Sequence, residues 1–248
     1  MKVTVRSNCS VINVYTKNNT KSKISTQLLY GDTFKIIKKK GKWLKIKIDE
    51  DNYKGYIKNK NFSKNHKNTH KIFNLSSNLY SKPNLKYKTK IRLSFGSKIK
   101  VIEKKGNFFK FEKYWIKKKE LVKVNFKKKN LFNDVYKFKN VKYKWGGKHF
   151  SGIDCSALIQ LFLNFNNKFC PRDTIDQIKY FKKEVKLKNI KKNDLIFWRG
   201  HVALVVSQKK LIHAYGPLKK TIVMPIIKTI DRINKTANLK VVGIRRIF

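Results

Sequence analysis

The first half of the chain alternates short β-branched and aromatic runs with glycine-marked turns, and it does so twice. Leu29-Tyr30-Gly31 and the residues up to Ile46 parallel Leu93-Ser94-Phe95-Gly96 and the residues up to Phe111, with Gly31 and Gly41 spaced as Gly96 and Gly106 are. One copy closes with Gly55-Tyr56-Ile57 and the other with Tyr114-Trp115-Ile116, each followed by a polar turn. Each copy predicts a small antiparallel barrel, with Trp43 and Phe108 packing its core. The polar stretch 64–70 reads as a link between the two, and 127–130 leads out of the second. From Leu131 the texture changes. Leu131, Val135 and Phe138 sit at helical spacing, and 156–165 predicts an apolar helix burying Leu158, Ile159, Leu161 and Phe162. Strand-like runs follow at 194–198, 201–206, 211–213 and 241–244. A helix followed by an antiparallel sheet is an α+β order.

With 248 residues the chain can hold two or three compact units, and 41% hydrophobic with 13% aromatic residues predicts a folded protein. A formal net charge of +47, from 61 Lys and Arg against 14 Asp and Glu, first suggests a polyanion partner. Only seven of the cations are Arg, however, and base readout and bidentate phosphate contacts favour Arg. Lys is spread over every segment, Asn and Ile abound, and Ala and Pro occur four times each, as A/T-rich codons would produce. We therefore expect solvated lysine faces and no specific nucleic-acid partner. Three cysteines without a CxxC pair predict neither a disulfide framework nor a structural zinc, and no metal or cofactor is expected. The residues from Met1 to Arg6 lack the apolar region of an export signal, and no apolar run approaches the about 20 residues of a membrane helix. A cytoplasmic location is the expectation, and nothing in the sequence speaks to oligomeric state.

The chemistry concentrates at Tyr143-Lys144-Trp145-Gly146-Gly147 and Gly152-Ile153-Asp154-Cys155-Ser156. Asp154 is placed to cap a helix that Cys155 opens, and a thiol there meets the positive end of the helix dipole, which favours thiolate. A packing role remains the other reading of Cys155 from position alone. A base titrating near neutrality points to histidine. His66 and His70 in the link, and His149 in the glycine loop, suit solvated roles. His201 opens an apolar strand, and His213 on the next is placed to bond its far ring nitrogen.

Those residues, with Pro171-Arg172-Asp173-Thr174, Gln177, Asp194-Leu195-Ile196-Phe197, His201-Val202-Ala203-Leu204 and Leu211-Ile212-His213-Ala214, make residues 130–248 resemble the NlpC family of papain-like cysteine peptidases. Residues 1–63 and 71–123 resemble bacterial SH3-like barrels. The resemblance implies a papain-like domain whose Cys155 attacks, whose His201 is general base and later acid, and whose His213 is the third polar member. It implies that Tyr143 helps the oxyanion, that Asp154 and Ser156 bind the free amino end of a peptide, and that Tyr53 closes the cleft. The implied reaction is hydrolysis of peptidoglycan stem peptides at the γ-D-glutamyl–diaminopimelate bond, on short free-ended fragments in wall-peptide recycling. A secreted wall hydrolase and a non-catalytic module binding wall polymer or polyanion are the alternatives. Ala157 and Asn193 stand where the family has Gly; Ala favours the helix and Asn tolerates a turn.

Overall fold

The computed structural model describes residues 4–247, so Met1–Val3 of the first expected unit and Phe248 of the third lie outside the described residues. The first unit is an all-antiparallel sheet ordered Ile24–Leu29, Val11–Tyr15, Lys54–Lys58, Trp43–Ile48, Thr33–Lys40, Thr4–Arg6 and Ser63–Lys64. Along Trp43–Ile48, Leu44, Ile46 and Ile48 are buried while Lys45 and Lys47 alternate outward, so a lysine-rich strand still supplies an apolar face. The second unit has a five-stranded sheet ordered Lys88–Ser94, Ser76–Tyr80, Tyr114–Lys117, Phe108–Phe111 and Glu103–Lys105. A three-stranded sheet, Lys98–Ile99, His70–Ile72 and Leu121–Lys123, completes it. The internal repeat is visible in the backbone: Gly31 and Gly96 both have φ +83°, and Gly41 and Gly106 have +54° and +52°.

Three details depart from the sequence reading. Trp43 is half-buried edge-on to Tyr15 at 5.6 Å instead of in the barrel core, because its position on the strand faces outward. Phe108 is buried, but in a separate cluster with Tyr80 and Trp115. The link is shorter than expected: Ser63–Lys64 pairs with Thr4–Arg6, and His70 already belongs to a strand.

The last part is a six-stranded antiparallel sheet ordered Lys183–Glu184, Val241–Arg246, Leu195–Trp198, His201–Ser207, Lys210–Tyr215 and Lys220–Pro225. Helix α1, Cys155–Phe165, covers one face through Leu158, Ile159 and Phe162 against Leu195, Phe197, Val202 and Leu204. A short helix α2, Thr174–Tyr180, follows it, and α3, Ile226–Ala237, covers the opposite face against Ile196, Trp198, Ala203 and Val205. With both faces covered, the strands read as continuous apolar runs. Ten of the eleven residues of α1 are buried, because Leu29 of the first unit and Phe95 of the second close over the side the sheet leaves bare. The Phe95 ring stacks on Phe165 at 4.5 Å.

Candidate active site

The glycine loop delivers the chain to α1, and Asp154 joins the two. Its Oδ1 accepts from the Ala157 N–H (2.8 Å), satisfying one of the unpaired donors of the first turn, and its Oδ2 accepts from the Gly146 N–H (2.9 Å). Gly146 is required where it stands: at φ +70° a Cβ would lie 2.4 Å from the carbonyl oxygen of Ile24 in the first unit.

Cys155 is buried at the start of this helix. Burial and the charge of Asp154 push its thiol up to about 12, against the opposing pull of the Val202 and Ser156 main-chain N–H groups and of Arg172. The helix-end effect expected from sequence is therefore outweighed, and the resting group is a thiol. The Val202 N–H beside Sγ puts the sulfur at the mouth of the strand that His201 opens. Burial lowers His201 to about 4, with Asp154 opposing, so the imidazole is neutral at neutral pH and does not form an ion pair with the sulfur.

His201 Nε2 and His213 Nδ1 are 2.8 Å apart, and His213 Nε2 lies 3.4 Å from Met224 Sδ. A thioether can only accept, so the Nε2 of neutral His213 carries the proton and its Nδ1 accepts. His201 then donates from Nε2 and keeps Nδ1 as the basic nitrogen. Burial, and the repulsion that protonating both rings would bring, hold His213 well below its ordinary value, which keeps it in this neutral role. Its ring stacks on Tyr215 at 4.6 Å and 9°. Tyr143 pairs through its backbone with Ile153, and burial is the main cause that raises its hydroxyl above the ordinary value, so it stays protonated.

The second cluster is anchored by a residue to which the sequence reading gave no role. Arg172 is buried, its NH2 group 2.6 Å from Asp154 Oδ2 and its NH1 donating to Asp154 Oδ1 (3.1 Å) and Ser156 Oγ (2.8 Å). Its Nε–H donates to Thr26 Oγ1 of the first unit (2.8 Å). Next in sequence, Asp173 Oδ2 accepts from the Tyr53 hydroxyl (3.0 Å), which ties the loop of the first unit to the start of α2. Burial, then Asp173, raises the Tyr53 hydroxyl to about 12, so it stays protonated. Asp154, Arg172 and Asp173 together carry one net negative charge in a chain of net +47. The signal for Arg172 was its place in Pro171-Arg172-Asp173-Thr174; its burial depends on Thr26, 146 residues away.

The other histidines depart from the solvated roles expected. His70 and His149 are buried, the first within the second unit, bonded to Thr69 Oγ1 (2.9 Å) and packed on Phe109 at 5.3 Å, and the second bonded to Ser151 Oγ (2.8 Å) and, across to the first unit, Ser10 Oγ (3.2 Å). His66 is partly exposed. Cys9, Cys155 and Cys170 are free; Cys170 is buried and its sulfur accepts from Gln177 Nε2 (3.4 Å). Among the described residues no group of His, Cys, Asp and Glu could hold a metal ion, and no helix is long and apolar enough to cross a membrane.

A thiol near 12 has a testable consequence. Alkylation of Cys155 by iodoacetamide, followed by mass spectrometry of its peptide, should accelerate about tenfold per pH unit above neutrality, because thiolate is a trace species below its pKa. A rate that is already flat at neutral pH would contradict the neutral pair.

Comparison with known proteins bears on the fold and on the domains it contains. The NlpC/P60 family pattern matches residues 140–233, which contain Cys155, His201 and His213. Residues 140–233 are an NlpC/P60 domain. The bacterial SH3 domain pattern matches residues 10–63. The chain is 23% identical over 241 residues to the gamma-D-glutamyl-L-lysine dipeptidyl-peptidase of Bacillus cereus, a match spanning 83% of this chain and 71% of that one. It is 33% identical over 87 residues to dipeptidyl-peptidase 6 of Lysinibacillus sphaericus, there spanning 35% of this chain and about a third (32%) of the relative. The crystal structure of an NlpC/P60 family protein from Bacillus cereus ATCC 10987 superposes with a TM-score of 0.83 at 17% identity, covering 98% of this chain and 99% of that one. That likeness is one of fold, and it runs through the second unit as well as the first and the last.

Proposed function

We propose that this chain is a cysteine endopeptidase that hydrolyses peptidoglycan stem peptides at the γ-D-glutamyl bond to a diamino acid, acting on short fragments with a free amino end. The observation that carries the reading is the anionic cluster of Asp154, Arg172 and Asp173 under Tyr53, set beside a buried thiol and a His pair. An ammonium is attracted there although the whole chain is strongly cationic. Asp154 is fully engaged by Arg172, Ser156 and two main-chain N–H groups, so it acts through its charge. Tyr53 and Asp173 offer the oxygens that would accept from the substrate amine. The relative of the same name-giving reaction class, from Bacillus cereus, supports the choice of bond.

In the reaction, His201 Nδ1 takes the thiol proton as Sγ of Cys155 bonds to the γ-glutamyl carbonyl carbon. The Tyr143 hydroxyl stabilises the resulting oxyanion. His201 gives the proton to the departing amine as the C–N bond breaks, leaving a thioester. Water then attacks, His201 accepts its proton, and the thiol is restored. We assign residues 1–63 and 71–123 as two SH3-like barrels and 130–248 as the peptidase domain, the first barrel closing the amino-end side of the cleft. The role in the cell is turnover of short wall peptides.

Incubation with L-Ala-γ-D-Glu-diaminopimelate should release the diamino acid, with kcat/KM at least about tenfold above that for the N-acetylated peptide, as expected when a buried charged group loses its partner. No release would rule out the proposed bond, and equal rates on both peptides would rule out the free-amine site.

A further inference from the structure

The loop that carries Tyr53 closes on its own turn, the Asn52 N–H donating to the Ile48 carbonyl (3.0 Å) and the Ile48 N–H to the Tyr53 carbonyl (2.9 Å), and it is also gripped from outside. Between the strands Trp43–Ile48 and Lys54–Lys58 it turns through Asn52, at φ +61°, and projects three acidic side chains, Asp49, Glu50 and Asp51. Asp51 spans the loop and the last domain: Oδ1 accepts from the Tyr53 N–H (3.0 Å) and Oδ2 from Gln160 Nε2 of α1 (2.9 Å). Glu50 is gripped from two other directions. Its Oε1 is 2.8 Å from Lys98 Nζ of the second unit and its Oε2 is 2.9 Å from Lys148 Nζ of the glycine loop. Asp32 completes the set, 3.8 Å from Lys98 and 3.9 Å from Lys148.

The carboxyl groups of Asp32 and Glu50 and the ammonium groups of Lys98 and Lys148 thus meet where the three parts of the chain come together. Lys148 and Asp32 are buried there, at 4% side-chain exposure each. Burial raises the Glu50 carboxyl, but Lys148 and Lys98 more than offset this and hold it charged. The position of Lys98 is itself fixed: its N–H donates to the Tyr30 carbonyl (2.9 Å), and its carbonyl lies where a Cβ on Gly31 would come within 2.0 Å. The second unit touches neither Sγ nor the His pair through these contacts, yet it delivers an ammonium to the loop that ends in Tyr53.

We infer that Lys98 and Glu50 are positioning residues for the amino end of the substrate, so that the second unit sets selectivity for free-ended peptides through the loop of the first. The inference rests on the reading of Tyr53 and Asp173 as the free-amine site. In a water-poor junction a charge-assisted bond gains strength, and losing one frees the loop while leaving Cys155, His201 and His213 untouched.

The test replaces Lys98 with methionine, which keeps the stem and removes the charge, with Glu50→Gln as a second variant on the other partner. Hydrogen exchange of the Asn52 and Tyr53 amides is followed first, because it needs no turnover. Both variants should exchange these amides about tenfold faster than the parent protein, with the 36–47 hairpin unchanged. KM for the free-amine tripeptide should rise by about the same factor with kcat changed less than about twofold, and kcat/KM for the N-acetylated peptide should stay level. Unchanged exchange in both variants overturns the clamp whatever the activity. Faster exchange with equal losses on both peptides overturns the selectivity role. If the parent protein cleaves neither peptide, the proposed bond fails, and the exchange comparison still decides whether Lys98 holds the loop.

Discussion

Replacing Cys155 with alanine is expected to lower kcat for stem-peptide cleavage by at least about a thousandfold while leaving the fold intact. The size follows from the chemistry: without the sulfur no thioester forms, and oxyanion contacts and binding alone retain only a small fraction of the rate of a nucleophile-based site. The change is gentle because the lost atom sits beside main-chain N–H groups at the start of α1 and bonds to no side chain that another element needs. Thermal melting should therefore differ little, and peptide release measured by mass spectrometry should vanish. Residual activity within about tenfold of the parent would show that the sulfur is not the nucleophile and would remove the basis for the roles given to His201 and His213.

Arg172→Met carries the largest expected loss of stability, about 3–5 kcal/mol. The guanidinium is buried and meets Asp154 through two bonds, so its removal strands a carboxylate that sits at 7% exposure. The bond to Thr26 goes with it, loosening the first unit from the last. A chain of this length should melt roughly 10 °C lower or more. Thr26→Val separates the two contributions, since it removes only the inter-unit bond and should cost less than about 1.5 kcal/mol. A melting temperature within about 2 °C of the parent for Arg172→Met would mean that solvent reaches Asp154 and that the pair contributes little.

Much of the fold was legible because it is local. The alternation in residues 43–48, the glycine spacing of the repeat and the Asp154 cap each depend on neighbours within a few residues, and each appears where expected. Helix α3 was legible and was passed over: Ile226, Ile230 and Ile233 stand on one face, with Lys228, Asp231, Arg232 and Lys235 on the opposite one. The site was legible in its members and not in its electrostatics. The dipole argument for a thiolate used only the helix, whereas the protonation of Cys155 is decided by burial and by Asp154. Contacts between distant segments left no trace in sequence: Tyr53 with Asp173 and Glu50 with Lys98 and Lys148 look like ordinary polar residues until the chain closes. The same closure explains why His149, in a segment that reads as solvated, is buried, with Ser10 of the first unit against its ring.

The apolar girth of α1 makes the three parts mutually dependent for solubility. A fragment beginning near residue 130 would keep its sheet yet lose Leu29 and Phe95, leaving Leu161 and Phe165 facing water along one flank. Such a greasy strip invites self-association, so the hydrolytic half is not a detachable module, and recombining it with foreign partners would require repainting that flank with polar side chains first.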